Sequence, residues 1–304
     1  MIHFNKVTKV FKTDIFTPPF CALDGVDFTV PEGSMVGFLG ANGAGKTTSL
    51  KIIMDFIRPS SGNVIFDKSL GSSKLEIFKN IGFLPERPYF YPNLTGEEFI
   101  HFMGKLSEVP SSQIKHEISV WAPKFKIDYA LKRELKTYSK GMLQRVGFLA
   151  TILHHPKLVI LDEPISGLDP IGRKELKDVI VEIQREGKTI FFSSHIVPDV
   201  EEICDRVIFL KEGKLIYDGP VNTLLSTNIG QDFLFVLGDT ELKDFSTPFK
   251  QKVKLPDNFS KYVVAAQDKD KFLNEAIQKN ANIISIDSVR PSLEEIFYHT
   301  QVSK

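Results

Sequence analysis

Cysteine is scarce in this chain. Cys21 and Cys204 are the only two, so there is no disulfide framework and no metal-binding cysteine spacing. A reduced, cytosolic setting follows. No charge of one sign dominates: 38 Lys and Arg stand against 38 Asp and Glu. No overall basic field points to nucleic acid, and no nucleic-acid partner is expected. Long apolar runs are missing as well. The longest, Phe233 to Leu237 and Leu158 to Leu161, have strand length, well short of the ~18 residues that span a bilayer. The start, Met1-Ile2-His3-Phe4-Asn5-Lys6, lacks the apolar core of a signal peptide. Any work at a membrane therefore needs a spanning part from another chain. There is no internal repeat and no low-complexity tract. What remains is 304 residues, 42% hydrophobic and 25% charged, a globular composition with length for about two domains.

Against these absences stands one dense motif, Gly40-Ala41-Asn42-Gly43-Ala44-Gly45-Lys46-Thr47-Thr48. It follows the apolar run Met35 to Leu39 and opens a run with helical apolar spacing, Leu50, Ile53, Met54 and Ile57. Strand, glycine loop and helix in this order, with this Gly–Lys–Thr spacing, make a phosphate-binding P-loop. Glycines at 40, 43 and 45 let the backbone curl its N–H groups around one anion. The helix start adds free donors and a positive dipole end. Lys46 can reach the β- and γ-phosphates, and the Thr47 hydroxyl can ligate Mg²⁺.

Taken in order, residues 2–7 and 26–30 read as strands, joined through a loop at Pro18-Pro19. An aromatic in that connection could stack on adenine. Phe11 is the first choice, with Phe16 and Phe20 as rivals, and a core phenylalanine is an equal reading in a chain with 25 of them. A strand over 63–67 and a short one at Ile81 to Leu84 follow. Glu86, just past the second, is a candidate metal ligand. Residues 94–153 turn helical, with segments at about 96–107, 112–125 and 140–153. The first opens on the capping-box spacing Thr95-Gly96-Glu97-Glu98. Ser139 is placed to cap the third, offering N–H groups to an anion. This stretch reads as a helical insertion between parallel strands.

Leu158-Val159-Ile160-Leu161 is a strand buried on both faces, and Asp162-Glu163 stand at its C-terminal end. Open α/β sheets place their ligands there. Asp162 suits the Mg²⁺ role and Glu163 that of general base. Asp169 caps the next helix, Pro170 opens it, and it ends near Gly187. A further buried strand, Lys188 to Phe192, runs into Ser193-Ser194-His195. His195 can hydrogen-bond a phosphate or the attacking water. Strands follow at 206–210 and 215–217. From about 221 the phosphate chemistry stops. Strands near 233–237, 261–265 and 283–286, a helix at 272–278 and a last one from Ser292 read as a small α+β domain.

Together these motifs resemble the ATP-binding cassette (ABC) ATPases, the soluble subunits of ABC transporters, over about residues 2–220. Gly40 to Thr48 resembles Walker A, Leu158 to Glu163 Walker B with its catalytic glutamate, Ser166 to Asp169 the D-loop, and His195 the switch histidine. Tyr138 to Met142 occupies the signature position, and Phe11 that of the adenine-stacking aromatic. Two departures stand out. Lys140 and Met142 replace a glycine and the glutamine of the usual Leu-Ser-Gly-Gly-Gln signature. Glu86 stands where the family has its Q-loop glutamine.

The resemblance implies an α/β fold, a P-loop NTPase with a β-rich N-terminal part and a helical subdomain at about 88–155. The cassette would occupy 1–220 and the accessory domain 221–304. It implies an ATPase with ATP and Mg²⁺ as cofactors, working as a homodimer or with a homologous ATPase subunit. Each ATP would lie between one subunit's P-loop and the other's Ser139 and Gly141. Turnover would drive a separate integral membrane permease, with the ATPase cytoplasmic and peripheral on the inner face of the cell membrane. Residues 291–297 are similar to the tail of exporter-type subunits. Two alternatives are a non-transport ABC ATPase that remodels a soluble assembly and a domain that binds ATP as a regulatory ligand. One cassette per chain argues against the first, and the intact Asp162-Glu163 and His195 against the second.

Overall fold

A computed structural model describes residues 1–12, 18–227, 232–238, 245–256 and 259–289, together with 293, 294, 296 and 297. Its contacts divide the chain into two units, Met1–Val221 and Asn222–Lys304.

The first unit opens with two long strands, β1 (Ile2–Phe11) and β2 (Phe20–Val30). Both extend beyond the apolar stretches that mark them in the sequence. Antiparallel pairing carries polar residues such as Lys9 and Cys21 into register. β3 (Met35–Leu39) is buried at every position and leads into the P-loop and α1 (Lys46–Ile53). β4 (Ser61–Phe66) returns to pair with β1, giving a three-stranded sheet in the order β2-β1-β4. A short α2 (Lys74–Lys79) precedes β5 (Ile81–Leu84). The helical insertion follows as α3 (Gly96–Leu106), α4 (Ser111–Lys124) and α5 (Lys140–Ile152). Thr95 and Glu98 form the capping box that their spacing predicts, and Ser139 caps α5. The interior of this insertion is aromatic, with Phe125 against Trp121 and Phe148.

Then come β6 (Leu158–Leu161), α6 (Pro170–Arg185), β7 (Thr189–Ser194), α7 (Val197–Ile203) and the hairpin β8 (Arg206–Lys211) with β9 (Lys214–Pro220). The second sheet runs β5-β6-β7-β3-β8-β9, parallel except for β9. Phe4 stacks on Phe28, Phe28 meets Phe38, and Phe38 meets Phe191 at 5.3 Å. This phenylalanine chain joins the two sheets across one core. Neither α2 nor α7 is marked by apolar periodicity, because each is under two full turns. A signal for α2 was nevertheless present: Ser73 and Glu76 make a complete capping box.

α8 (Val221–Thr227) stands at the boundary. The second unit is an antiparallel sheet of β10 (Asp232–Gly238), β11 (Gln251–Lys254), β12 (Ser260–Ala265) and β13 (Asn282–Ser288), in the order β11-β12-β10-β13. Alternation along β12 turns Tyr262 and Val264 inward. They pack with Phe235, Leu237 and Phe272 of α9 (Lys269–Gln278). Ser292, expected as a helix cap, lies outside the described residues. Among the described residues no helix is long and apolar enough to cross a membrane.

Candidate functional site

Parallel pairing brings four strand ends together. Leu39 is level with Ser194, Leu161 with Phe192, and Leu84 with Leu161. The residues just beyond them are the P-loop, His195, Asp162-Glu163 and Glu86. Residues as far apart in the chain as Lys46 and His195 thus meet at one sheet edge, where doubly wound sheets bind ligands.

A cavity of about 390 Å³ opens there. Its floor is the P-loop from Ala41 to Thr48, without Ala44, which is buried. Gly40 does not line it; a β-carbon at Gly40 would meet the Leu210 carbonyl at 2.7 Å. Gly45 has φ 106° and caps α1 without any side-chain hydrogen bond, so the first N–H groups of α1 have no side-chain cap. Glu86, Glu163, Ser166, His195 and Phe20 complete the walls.

Lys46 is buried and tethered. Its ammonium donates to the Gly40 carbonyl at 2.6 Å and lies 3.3 Å from Glu163 Oε1. The other Glu163 oxygen accepts from His195 Nδ1 at 2.7 Å. A carboxylate can only accept, so the ring proton of that contact sits on Nδ1. Glu163 adopts a left-handed backbone with φ 51°, which costs a branched-free but bulky residue about 1–3 kcal/mol. Its amide is held by Ser193 Oγ at 2.9 Å. The same hydroxyl donates to Asp162 Oδ1 at 2.6 Å. Ser193 therefore sets both acidic residues, a role that nothing in its local sequence marks. Only pairing of β7 with β6 brings it there.

Asp162 is 2% exposed. Burial pushes its carboxyl above the usual range, and the negative charges of Glu163 and Glu86 push it further. Hydrogen bonds from Ser193 and Thr47 oppose them. Hydroxyl and carboxylate oxygens are hard donors suited to a divalent cation. Among the described residues no three His, Cys, Asp or Glu converge enough to hold a metal alone. The set therefore fits a cation that shares its shell with phosphate oxygens and water.

Three phenylalanines are candidates to stack on the base. Phe20 lines the cavity and Phe11 does not. The two face each other across β1 and β2, and Lys9 sits 4.9 Å over the Phe11 ring. Phe16 lies outside the described residues. Ser139 and Gly141 do not line this cavity either. Ser139 is exposed at the start of α5, its hydroxyl accepting from the Met142 amide at 3.2 Å.

Comparison with known proteins gives the same answer as the site. Residues 23–166 match the family described as ABC transporter. An uncharacterised ABC transporter ATP-binding protein of Nostoc is 37% identical over all of this chain and 90% of its own length. The bacitracin transport ATP-binding protein BcrA of Bacillus licheniformis is 38% identical over 68% of this chain and 67% of that protein. Among solved structures, cbiO1 of Clostridium perfringens, part of the ABC transporter complex cbiONQ, superposes with a TM-score of 0.62. It is 26% identical, over 74% of this chain and 90% of that one. This chain belongs to the ATP-binding, ATP-hydrolysing subunits of ABC transporters.

Proposed function

We propose that the cavity on the P-loop binds ATP with Mg²⁺ and hydrolyses it with Glu163 as the base. The observation that carries this is the convergence of Lys46, Glu163 and His195 in one pocket, where the Glu163 carboxylate lies 3.3 Å from the Lys46 ammonium and 2.7 Å from His195 Nδ1. The P-loop amides and Lys46 hold the phosphates. Thr47 and Asp162, joined by Glu86, supply oxygens for Mg²⁺, which would neutralise charge on the transferred phosphoryl group. Glu163 takes the proton of the attacking water. His195 orients Glu163 through the Nδ1 contact, and as the imidazolium it can donate its Nε2–H to the γ-phosphate. Lys46 offsets charge as it develops in the transition state.

Ser139 and Gly141 lie off this cavity, and a signature helix without a phosphate of its own has an unused anion site. We assign it to the nucleotide of a second subunit, a copy of this chain or a homologue. Residues 1–220 form the ATPase domain and 221–304 an accessory domain. The partner at the membrane is a polytopic permease, which holds the ATPase peripherally on the cytoplasmic face. Tyr89, Tyr91, Phe102 and Leu106 are exposed, and Tyr91 lies edge-on to both Tyr89 and Phe102. Exposed aromatics gathered in this way suit a protein partner, and Tyr89 and Tyr91 lie three and five residues beyond Glu86. Outward transport is the direction implied by the resemblance of residues 291–297 to exporter tails.

The test is affinity purification from gently solubilised native membranes, with ATPase assay of what is recovered. A stoichiometric polytopic protein without its own P-loop is expected. Only soluble companions would overturn the transport reading in favour of an ATPase that remodels a soluble complex.

A further inference from the structure

The P-loop cavity is poor in positive charge. Among its described lining residues Lys46 is the one lysine or arginine, whereas Glu86 and Glu163 both line it. Lys46 already lies 3.3 Å from Glu163. Asp162 stands behind them, and the charge of Glu86 reaches it. Arg87 is a poor counterweight to Glu86. Its Nε is 3.9 Å away and its side chain is 92% exposed, so water screens the pair. A separate sign comes from Glu163. Its side chain is 10% exposed, and Oε1 is buried with no hydrogen-bond donor. Carboxylates arranged in this way repel a bare triphosphate and attract one that carries a divalent cation.

We propose that Glu86 makes ATP binding conditional on a divalent cation, disfavouring the metal-free nucleotide and favouring the metal-bound one. The proposal rests on the reading of this cavity as the ATP site. A glutamine amide at position 86 carries no charge and discriminates neither form. A carboxylate half exposed at the cavity mouth, with its side chain 49% accessible, can meet a metal ion arriving on the phosphates without a preformed cage.

Equilibrium binding of a non-hydrolysable ATP analogue to the full chain tests this, in excess EDTA and in Mg²⁺. The native protein is expected to bind much more tightly with Mg²⁺. Glu86→Gln should bind in EDTA about tenfold more tightly than native, a change of 1.4 kcal/mol, and so narrow the ratio. Glu86→Asp keeps the charge and should keep the ratio. Equal affinities of native and Glu86→Gln in EDTA overturn the proposal while leaving the ATP site intact, provided Lys46→Ala weakens binding in Mg²⁺. If Lys46→Ala changes nothing, or the native chain binds in neither condition, the site reading falls and the proposal with it.

Discussion

The Ser193 hydroxyl donates to Asp162 at 2.6 Å while accepting the Glu163 amide at 2.9 Å. One side chain on β7 thus sets both acids at the end of β6. Without it, the buried Asp162 would lose a hydrogen bond and Glu163 the anchor of its left-handed backbone. Partners of this kind behind a metal-binding carboxylate are worth about 10–100-fold in activity or metal affinity. Ser193→Ala should lower ATP turnover by roughly that factor, with nucleotide binding in EDTA unchanged. Steady-state kinetics beside a binding titration check this. Full activity would mean that the hydroxyl is only packing.

Glu163 joins Lys46 to His195. Glu163→Gln removes the proposed base and the charge that occupies Lys46. Turnover should fall by about 10²–10⁴, while ATP affinity holds or rises as Lys46 is freed. Unchanged turnover in a single-turnover assay would remove Glu163 from the role of base.

Phe20 and Phe11 make separable contributions. If Phe20 stacks on adenine, Phe20→Ala should weaken ATP binding by about 1–3 kcal/mol. Phe11→Ala should do less, since its ring lies off the cavity. Inorganic triphosphate lacks the base and should bind both variants as it binds the native chain. Calorimetric titration with the two ligands would show it, and the reverse order of effects would restore Phe11.

Tyr91 and Phe102 touch edge-on at 5.3 Å on the exposed side of the insertion. Truncating an interface aromatic of this kind typically costs about 2 kcal/mol or more of binding. Tyr91→Ala with Phe102→Ala should sharply reduce recovery of the permease from membranes and leave ATP binding by the isolated chain intact. Undiminished recovery would move the docking surface elsewhere.

Glu275 pins the 246–247 segment. Its carboxylate accepts from the Ser246 and Thr247 amides and from Lys279. These contacts outweigh its desolvation and hold its carboxyl far below the usual range. A lowered folded-state value stabilises the native form above the unfolded value of 4.5, and that stability is lost as pH falls. Glu275→Gln should cost about 1 kcal/mol at pH 7 and progressively less toward acid. Thermal melts of the two proteins across that range should converge; a constant gap would sink the charge argument.

Much of the nucleotide site is legible along the chain because its chemistry is local. A P-loop is one strand, one glycine turn and one helix start, and its donors come from its own backbone. The same holds for the capping box at Thr95 and Glu98, for Asp169 at the head of α6, and for Asp162-Glu163 after four aliphatics. These patterns depend on neighbours within a few residues, so the order of amino acids determines them. Ser193, Phe20 and the lean charge balance around Lys46 belong to another class. Each depends on which strands lie side by side: β6 next to β7, and β1 opposite β2. Hydrogen-bond reach is about 3 Å, and only the tertiary structure brings residue 193 within that distance of residue 162. It was likewise the fold, not the sequence, that put Phe20 and not Phe11 in the cavity lining, because β2 packs its Ala22 and Leu23 against Gly45 of the phosphate loop.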